Sequence, residues 1–144
     1  MKVYISSSWK LVHAVEMLTD LLRVRGHEVL SFVENSHGEQ VGYLAVDHGK
    51  EIPFHEWVAS ERGKKSFQYD TNGACNSDLV IYIGPSGCDA WAEVGAAWAT
   101  GTAIFALESK GEQIGLMRRM ATWFVGYREL LKAVDEFASK EQKG

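Results

Sequence analysis

The chain has little cysteine and proline and no excess of positive charge. Its 144 residues include two cysteines and two prolines, and 15 lysines and arginines face 19 aspartates and glutamates, for a formal net charge of −4. Without a basic block, binding to a nucleic acid polymer or to an anionic membrane surface is not expected. No apolar run reaches the roughly 18 residues that span a membrane, and no signal-peptide pattern opens the sequence. We therefore expect a cytoplasmic protein.

Several sequence motifs for metals and cofactors are missing as well. Cys75 and Cys88 belong to no CxxC or Cys/His cluster, so we expect two reduced, mostly buried thiols and no zinc site. No predicted strand is followed by GxxxxGK[ST] or GxGxxG, which disfavours an NTPase or a Rossmann dehydrogenase. The GxSxG elbow of serine hydrolases is also absent. We expect neither a metal nor a cofactor.

Strand and helix patterns alternate along the chain. Apolar runs bounded by turn residues predict strands over residues 2–6, 28–33, 79–83, 103–107 and 122–125. Helical spacing predicts helices over residues 9–25, 54–60, 64–76, 89–100 and 127–139, although Gly73 weakens the third. Residues 34–50 are predicted to form a loop with a short strand or hairpin, residues 112–120 a short helix or loop, and residues 140–144 a frayed tail.

This alternation indicates a single domain over residues 1–144 of the α/β class. We expect a three-layer sandwich, with about five parallel strands in a flavodoxin-like order and helices on both sides. Because many unrelated activities occur on such folds, the function has to be argued from particular residues.

One ionisable residue interrupts an otherwise apolar helix pattern. Glu93 lies between Trp91 and Trp98 among alanines, in the helix that follows the strand at 79–83 and a glycine turn. Ligands of open α/β sheets bind at the carboxyl ends of the strands. Burying a carboxylate is costly unless it is paired or used. Glu93 is therefore a candidate functional residue, and the alternative is a solvated helix residue.

Polar residues follow the same strand. Asp89 precedes Glu93 by one helical turn and could share its face, or it could only stabilise the amino end of the helix. Ser86, in the Gly84–Gly87 turn, could contact a phosphate or a sugar hydroxyl at that helix end, or the segment could be a simple tight turn. Ser6 and Ser7 add hydroxyls after the first strand.

Three segments together resemble the nucleoside 2-deoxyribosyltransferase family, which also contains nucleotide N-glycosidases. They are residues 2–6 with the helix that follows, the run DTNGACNSDLVI at 70–81, and the run AEVGAAWATG at 92–101. The segments occur in the family's order and span most of the chain, and the third is fairly specific. The resemblance implies a protein that cleaves the N-glycosidic bond of a nucleoside or its monophosphate and transfers the sugar to another base or to water.

The resemblance also implies roles for individual residues. Glu93 matches the nucleophilic glutamate of the family, Asp70 the aspartate that assists the departing base, and Tyr4 a tyrosine that orients the nucleophile. The predicted substrate contacts are Ser6, Ser7, Trp9, Asp78, Gly84, Ser86, Gly87 and Asp89. Asp89 lies closer to the glutamate than the sugar-binding aspartate of the deoxyribosyltransferases does, so Ser86 or Gly87 could fill that role instead.

The same resemblance implies a homodimer or a larger homo-oligomer, because family members often complete the active site with a second subunit. Two other functions stay open from the sequence. One is a non-catalytic nucleotide-binding or sensor protein with this fold. The other is a TIR-like NAD glycohydrolase, which also uses a glutamate on a related fold.

Overall fold

A five-stranded parallel sheet forms the centre of the computed structural model, which describes residues 1–34, 46–47 and 50–143. Its strands are β1 (Lys2–Ser6), β2 (Glu28–Ser31), β5 (Leu79–Ile83), β6 (Ala103–Leu107) and β7 (Thr122–Phe124). They are arranged in the order β2-β1-β5-β6-β7. Two short strands, β3 (Val46–Asp47) and β4 (Lys50–Glu51), pair with each other in antiparallel fashion. The order of the large sheet is the flavodoxin-like order, so the predicted fold class is confirmed.

Among the described residues, five helices cover the sheet on both sides. They are α1 (Val12–Val24), α2 (Phe54–Ala59), α3 (Glu61–Asn76), α4 (Cys88–Ala99) and α5 (Tyr127–Lys143). Short 3-10 turns occupy Trp9–Leu11, Phe32–Glu34 and Leu116–Met120. No helix within the described residues is both long and apolar enough to cross a bilayer.

The alternation of side chains along β1 separates two hydrophobic cores. Val3 and Ile5 pack with apolar residues of α1 and α5, whereas Tyr4 packs with small residues of α3 and α4. Successive residues of a strand point to opposite faces of the sheet, so Ser6 shares the α3–α4 face with Tyr4. This face carries the candidate site.

Helix α3 approaches the sheet closely at Gly73. A Cβ atom at this position would lie 2.5 Å from the Tyr4 ring, which leaves no room for a side chain. The glycine that weakens the helix pattern in the sequence is therefore the point of contact between α3 and β1. Asp70, one turn earlier, is carried to the carboxyl end of β1 by the same contact.

Several element boundaries differ from the prediction. Strand β2 ends at Ser31 and a 3-10 turn follows, while α5 continues to Lys143, so residues 140–143 of the tail predicted to fray are helical. Helix α3 begins at Glu61 because the Ser60 hydroxyl accepts a hydrogen bond from the Gly63 amide at 3.0 Å, which caps the helix.

The burial of Cys88 and the structure of residues 34–50 were also predicted from the sequence. Cys88 is exposed and not buried as expected, because it is the first residue of α4 at the open edge of the sheet. Most of the predicted 34–50 loop lies outside the described residues, and the β3–β4 pair at its end agrees with the predicted hairpin.

Candidate active site

Glu93 of α4 lies over the face of β1 that carries Tyr4 and Ser6. The Tyr4 hydroxyl donates a hydrogen bond to Glu93 Oε1 at 2.7 Å. The Ser6 hydroxyl lies 3.1 Å from the same oxygen and 3.1 Å from the carbonyl oxygen of Ala90. Tyr4 and Ser6 are fully buried, so the packed sheet fixes the position of Glu93 Oε1.

The local sequence explains this arrangement. Tyr4 and Ser6 are two residues apart on one strand and so point to the same side. Ala90 and Glu93 are three residues apart on α4 and so share a helix face. The alanines of α4 let the helix lie close to the sheet, where Ala90, Val94 and Ala97 are buried.

Asp70 of α3 brings a second carboxyl group to this pair. Its charge raises the pKa of Glu93, and the Tyr4 hydroxyl lowers the pKa of Asp70, so the three side chains interact. Asp70 Oδ1 is buried and accepts no hydrogen bond within the described residues. One oxygen of the second carboxyl is therefore buried without a hydrogen-bond donor among the described residues.

Burial dominates the protonation of both carboxyl groups. Desolvation raises the pKa of Glu93 to about 8; the Asp70 charge adds to this rise, and the Tyr4 and Ser6 hydroxyls oppose it. Desolvation also raises the pKa of Asp70 to about 6, against the effect of Tyr4. The charge of ionised Asp70 therefore favours the protonated form of Glu93.

Three other predicted residues lie at the same edge. Asp89 is exposed in the first turn of α4, and its charge raises the pKa of both Asp70 and Glu93. Gly87 is the N-cap of α4 and supplies no side-chain cap, so amides of the first helical turn lack a side-chain acceptor there. The Ser7 hydroxyl donates to the carbonyl oxygen of Ile83 at 2.7 Å, which joins the carboxyl ends of β1 and β5.

Asp78 is not part of this site, and its prediction as a substrate contact is wrong. Asp78 Oδ2 accepts a hydrogen bond from the Lys2 amide at 2.8 Å, and the Asp78 amide donates to the Lys2 carbonyl at 2.9 Å. Both residues lie at the amino ends of their strands. Because all strands of the sheet are parallel, this is the edge opposite Glu93.

The structure also separates Trp9 from Glu93. The Trp9 ring packs edge-on against Phe32, with 5.3 Å between centroids, and joins the core under α1 and α5. Glu93 is on the other face of the sheet. Trp9 is half-buried and packs on the side of the sheet away from Glu93, and its role as a substrate contact stays a prediction.

A second group of polar residues lies at the carboxyl ends of β5 and β6. The Tyr82 hydroxyl donates to Glu112 Oε2 at 2.6 Å and accepts from the Ser86 amide at 3.1 Å and from Trp91 Nε1 at 3.0 Å. Gly84 is buried against the Tyr82 and Glu112 side chains. Of the four residues of the Gly84–Gly87 turn, Gly84 therefore faces the protein interior.

Arg118 completes this second group. Its Nη2 and Nε donate to Glu112 Oε1 at 3.0 and 3.3 Å, and Trp91 Nε1 lies 3.1 Å from the same oxygen. The guanidinium carbon is 4.2 Å from the centroid of the Trp91 ring, a cation–π contact. Sequence reasoning missed Glu112 and Arg118 because their loop has no periodicity. Tyr82, a hydroxyl in a fully apolar strand, was the one available signal.

Two clefts lined by both polar and apolar side chains are open on the surface. One of about 560 Å³ is lined by Glu112, Arg118, Trp123 and other residues of 108–125, and one of about 630 Å³ by Tyr69, Gly73 and neighbours on α3. Neither is lined by Glu93 or Asp70. Both carboxyl-bearing residues are only partly buried, so a substrate would reach them from the carboxyl edge of the sheet.

No metal site accompanies these groups in residues 1–34, 46–47 and 50–143. No three His, Cys, Asp or Glu side chains among them lie close enough to hold an ion.

The arrangement of elements has counterparts among solved structures. A 2-deoxyribosyltransferase from Bacillus psychrosaccharolyticus is 22% identical, with a TM-score of 0.63 over 90% of each chain. A CMP N-glycosidase from Clostridium botulinum is 16% identical, with a TM-score of 0.57 over 94% of this chain and 99% of that one. A conserved protein from Enterococcus faecalis V583 is 14% identical, with a TM-score of 0.67 over 94% and 98%.

No protein-family model and no curated protein sequence matches the chain. At these identities the structural likeness shows a shared fold. The protein has the α/β fold of the 2-deoxyribosyltransferase and of the CMP N-glycosidase, in agreement with the resemblance of its sequence segments.

Proposed function

We propose that the protein cleaves the N-glycosidic bond of a nucleoside or nucleoside monophosphate with Glu93 as the nucleophile. The sugar would pass to an acceptor base or to water. One observation carries the proposal: the Glu93 carboxyl is held by the Tyr4 and Ser6 hydroxyls and interacts with a second carboxyl, Asp70. The fold shared with two N-glycosidic bond enzymes supports it.

In the first step, a Glu93 oxygen attacks C1′ of the sugar while the bond from C1′ to the base nitrogen breaks. The bonding electrons leave with the base, and Asp70 donates a proton to it. Because Oε1 accepts the Tyr4 hydrogen bond and lies 3.1 Å from the Ser6 hydroxyl, we assign the attack to Oε2. The product is a glycosyl ester of Glu93, as in retaining glycosidases that use two carboxyl groups.

In the second step, water or another base attacks C1′ of this ester. The Asp70 carboxylate takes the proton of the attacking group, and Glu93 leaves as a carboxylate. Both steps build positive charge on the sugar ring, and the negative charge of Glu93 stabilises it.

The reaction needs the shared proton on Asp70 and the charge on Glu93. In the free protein, the pKa of Glu93 is the higher of the two. The developing positive charge of the sugar favours an ionised Glu93, and two buried hydroxyls support that state. Substrate binding would therefore draw the proton toward Asp70 and the departing base.

A base-release screen tests the proposal. The purified protein is incubated with nucleosides, nucleoside monophosphates and NAD, with and without an acceptor base, and free base is quantified. A 2-fluoro-arabino nucleoside should trap the ester, and peptide mapping should place the added mass on Glu93. Glu108→Gln, which removes an exposed carboxyl near the same edge, is the matched control. Base release without a labelled Glu93, or label on another residue, contradicts the nucleophile assignment.

A second candidate function is nucleotide binding without turnover. The two clefts favour it, because neither includes the carboxyl pair. It predicts saturable binding of a nucleotide with no base release. Turnover of NAD alone would instead favour a glycohydrolase of the TIR-like kind.

We also infer a homodimer or a larger homo-oligomer in the cytoplasm. Large apolar side chains at Ile114, Leu116 and Met117 are exposed, as expected when a second copy covers them. Light scattering after size exclusion measures the mass directly, and a monomer at micromolar concentration contradicts this inference.

A further inference from the structure

The turn between β5 and α4 is held by a hydrogen bond to the Tyr82 hydroxyl. Ser86 and Gly87 of this turn are candidate substrate contacts, and the Ser86 amide donates to the Tyr82 hydroxyl at 3.1 Å. We propose that Glu112 is a positioning residue that acts through Tyr82 to fix the Gly84–Gly87 turn for substrate binding. This inference rests on the proposed function, because it takes the turn as part of the substrate site.

The number of hydrogen bonds that the Tyr82 hydroxyl can make determines which partner receives its proton. A phenolic hydroxyl has one proton and can accept about two hydrogen bonds. The Ser86 amide and Trp91 Nε1 are both donors and occupy the acceptor positions. The single proton must then go to Glu112 Oε2, 2.6 Å away. Glu112 thereby fixes the orientation of the Tyr82 hydroxyl and keeps its acceptor positions directed at Ser86 and Trp91.

Glu112 is itself held from the opposite side. Its Oε1 accepts from Arg118 and lies within hydrogen-bond distance of Trp91 Nε1. Both oxygens of Glu112 thus meet donors only. A glutamine at this position would present an NH₂ group to Tyr82 or to Arg118, and one of these contacts would become donor against donor.

The close packing at Gly84 strengthens the coupling. A Cβ atom at this position would collide with Glu112 Oε2 and would lie 2.5 Å from the Tyr82 hydroxyl. The backbone of the turn therefore rests directly on the two side chains. A shift of either one displaces the turn, because the backbone has no free space in that direction.

Helix α4 shares the same support. Trp91 donates to Tyr82 from the first turns of α4, and Glu93 follows two residues later on the side of β1. The Glu112 group therefore fixes the amino end of α4, whereas Tyr4 and Ser6 fix Glu93. Loss of Glu112 should disturb binding at the turn more than the bond-breaking step.

Steady-state base release with a substrate found in the screen gives the first test. For Tyr82→Phe and Glu112→Gln we expect KM to rise about tenfold or more and kcat to change less than about threefold. The double variant should be no worse than the more affected single variant, because the two residues act as one unit. Glu108→Gln, in the same loop and cleft, should keep both constants.

Amide hydrogen exchange gives a test that does not need activity. The Ser86 amide should lose protection in Tyr82→Phe and in Glu112→Gln and keep it in Glu108→Gln. If the wild-type protein releases no base, the proposed function fails, and the exchange result still decides the positioning role. Unchanged Ser86 protection, or an unchanged KM in folded variants, overturns the inference. A fall of kcat at constant KM in both variants also overturns it. If Glu112→Gln does not fold, the milder Tyr82→Phe change alone decides the inference.

Discussion

Two tyrosine–glutamate pairs lie at the carboxyl edge of one sheet, and they differ in what surrounds the carboxyl group. Tyr4 donates to Glu93 at 2.7 Å, and Tyr82 donates to Glu112 at 2.6 Å. Glu112 also meets the Arg118 guanidinium and an indole NH. Glu93 meets a second hydroxyl and the charge of Asp70. The same two side-chain types thus give one fully paired carboxylate and one that opposes another acid.

The difference separates a supporting role from a chemical one. A buried carboxylate paired with a guanidinium and satisfied on both oxygens is well placed to hold neighbouring groups in position. A desolvated carboxyl beside another has a raised pKa, and such groups gather at sites of proton transfer. The contrast supports the two proposed roles, with the bond-breaking step at Glu93 and the support of the turn at Glu112.

Removing the charge from Glu93 and from Glu112 should give the largest difference between the two pairs. Glu93→Gln should lower kcat by about 10³-fold or more, because no nucleophile remains. Glu112→Gln should act mainly on KM, as proposed above. Steady-state base release measures both, with circular dichroism as the control for folding. A Glu93→Gln variant within about tenfold of wild-type kcat would remove Glu93 from the reaction.

Removing the tyrosine hydroxyl of the Glu93 pair should have the next largest effect. Tyr4→Phe takes away one of two donors to Glu93 Oε1. A hydrogen bond to a charged group contributes about 1.5–3 kcal/mol, so kcat should fall about 10- to 100-fold with little change in KM. Tyr69→Phe, which loses a 3.2 Å bond to the Ser31 carbonyl, is the matched control. Equal losses in the two variants would contradict a special role for Tyr4.

The Glu93→Gln and Glu112→Gln substitutions should change the free energy of unfolding in opposite directions. The pKa of Glu93 rises on folding from its usual 4.5 to about 8, so between these pH values the folded state binds more protons than the unfolded state. Wild-type stability therefore falls as pH rises across that window. Glu93→Gln escapes this loss and should be more stable than wild type by about 1–3 kcal/mol at pH 8, with a smaller gain at pH 5.

Glu112→Gln should instead destabilise by about 1–3 kcal/mol, because Arg118 loses its partner in a partly buried place. Urea unfolding at pH 5 and pH 8 measures both changes. A destabilised Glu93→Gln protein at pH 8 would show that the Glu93 carboxyl is not desolvated in solution.

The pH dependence of base release should report the two ionisations of the Glu93–Asp70 pair. With pKa values of about 6 for Asp70 and about 8 for Glu93, the pair holds one proton only between these limits. Below the lower limit both groups are protonated and no nucleophile is present. Above the upper limit both are charged and no acid remains for the base. A plot of kcat/KM against pH should be bell-shaped, falling about tenfold per pH unit outside the limits, and a flat profile from pH 5 to 9 contradicts the pair mechanism.

The fold was predictable because its signals are local and repeated. Each of the five main strands is a short apolar run, and the helices between them have clear spacing, so the parallel order followed from connection rules. The exact ends were less predictable. Ser60 and its cap extend α3 toward the amino terminus, and no periodic signal marks the turn at Phe32 that ends β2.

The site was predictable where a residue type conflicted with its surroundings. Glu93 is an acid in an alanine helix, and Tyr4 and Ser6 share a strand face by simple alternation. Asp78 was misassigned although it directly precedes the strand at 79–83, a position that already indicates the amino edge of a parallel sheet. Glu112 and Arg118 come from a loop without periodicity, and only tertiary packing brings them to Tyr82.

The spacing between α3 and the sheet depends on the absence of a side chain at Gly73. Any larger residue at position 73 would have to push α3 outward from the Tyr4 ring. Such a shift would carry Asp70 away from Tyr4 and Glu93 and leave two separate acids in place of an interacting pair. The distance between two layers of the sandwich is therefore also the distance across which a proton would have to be shared.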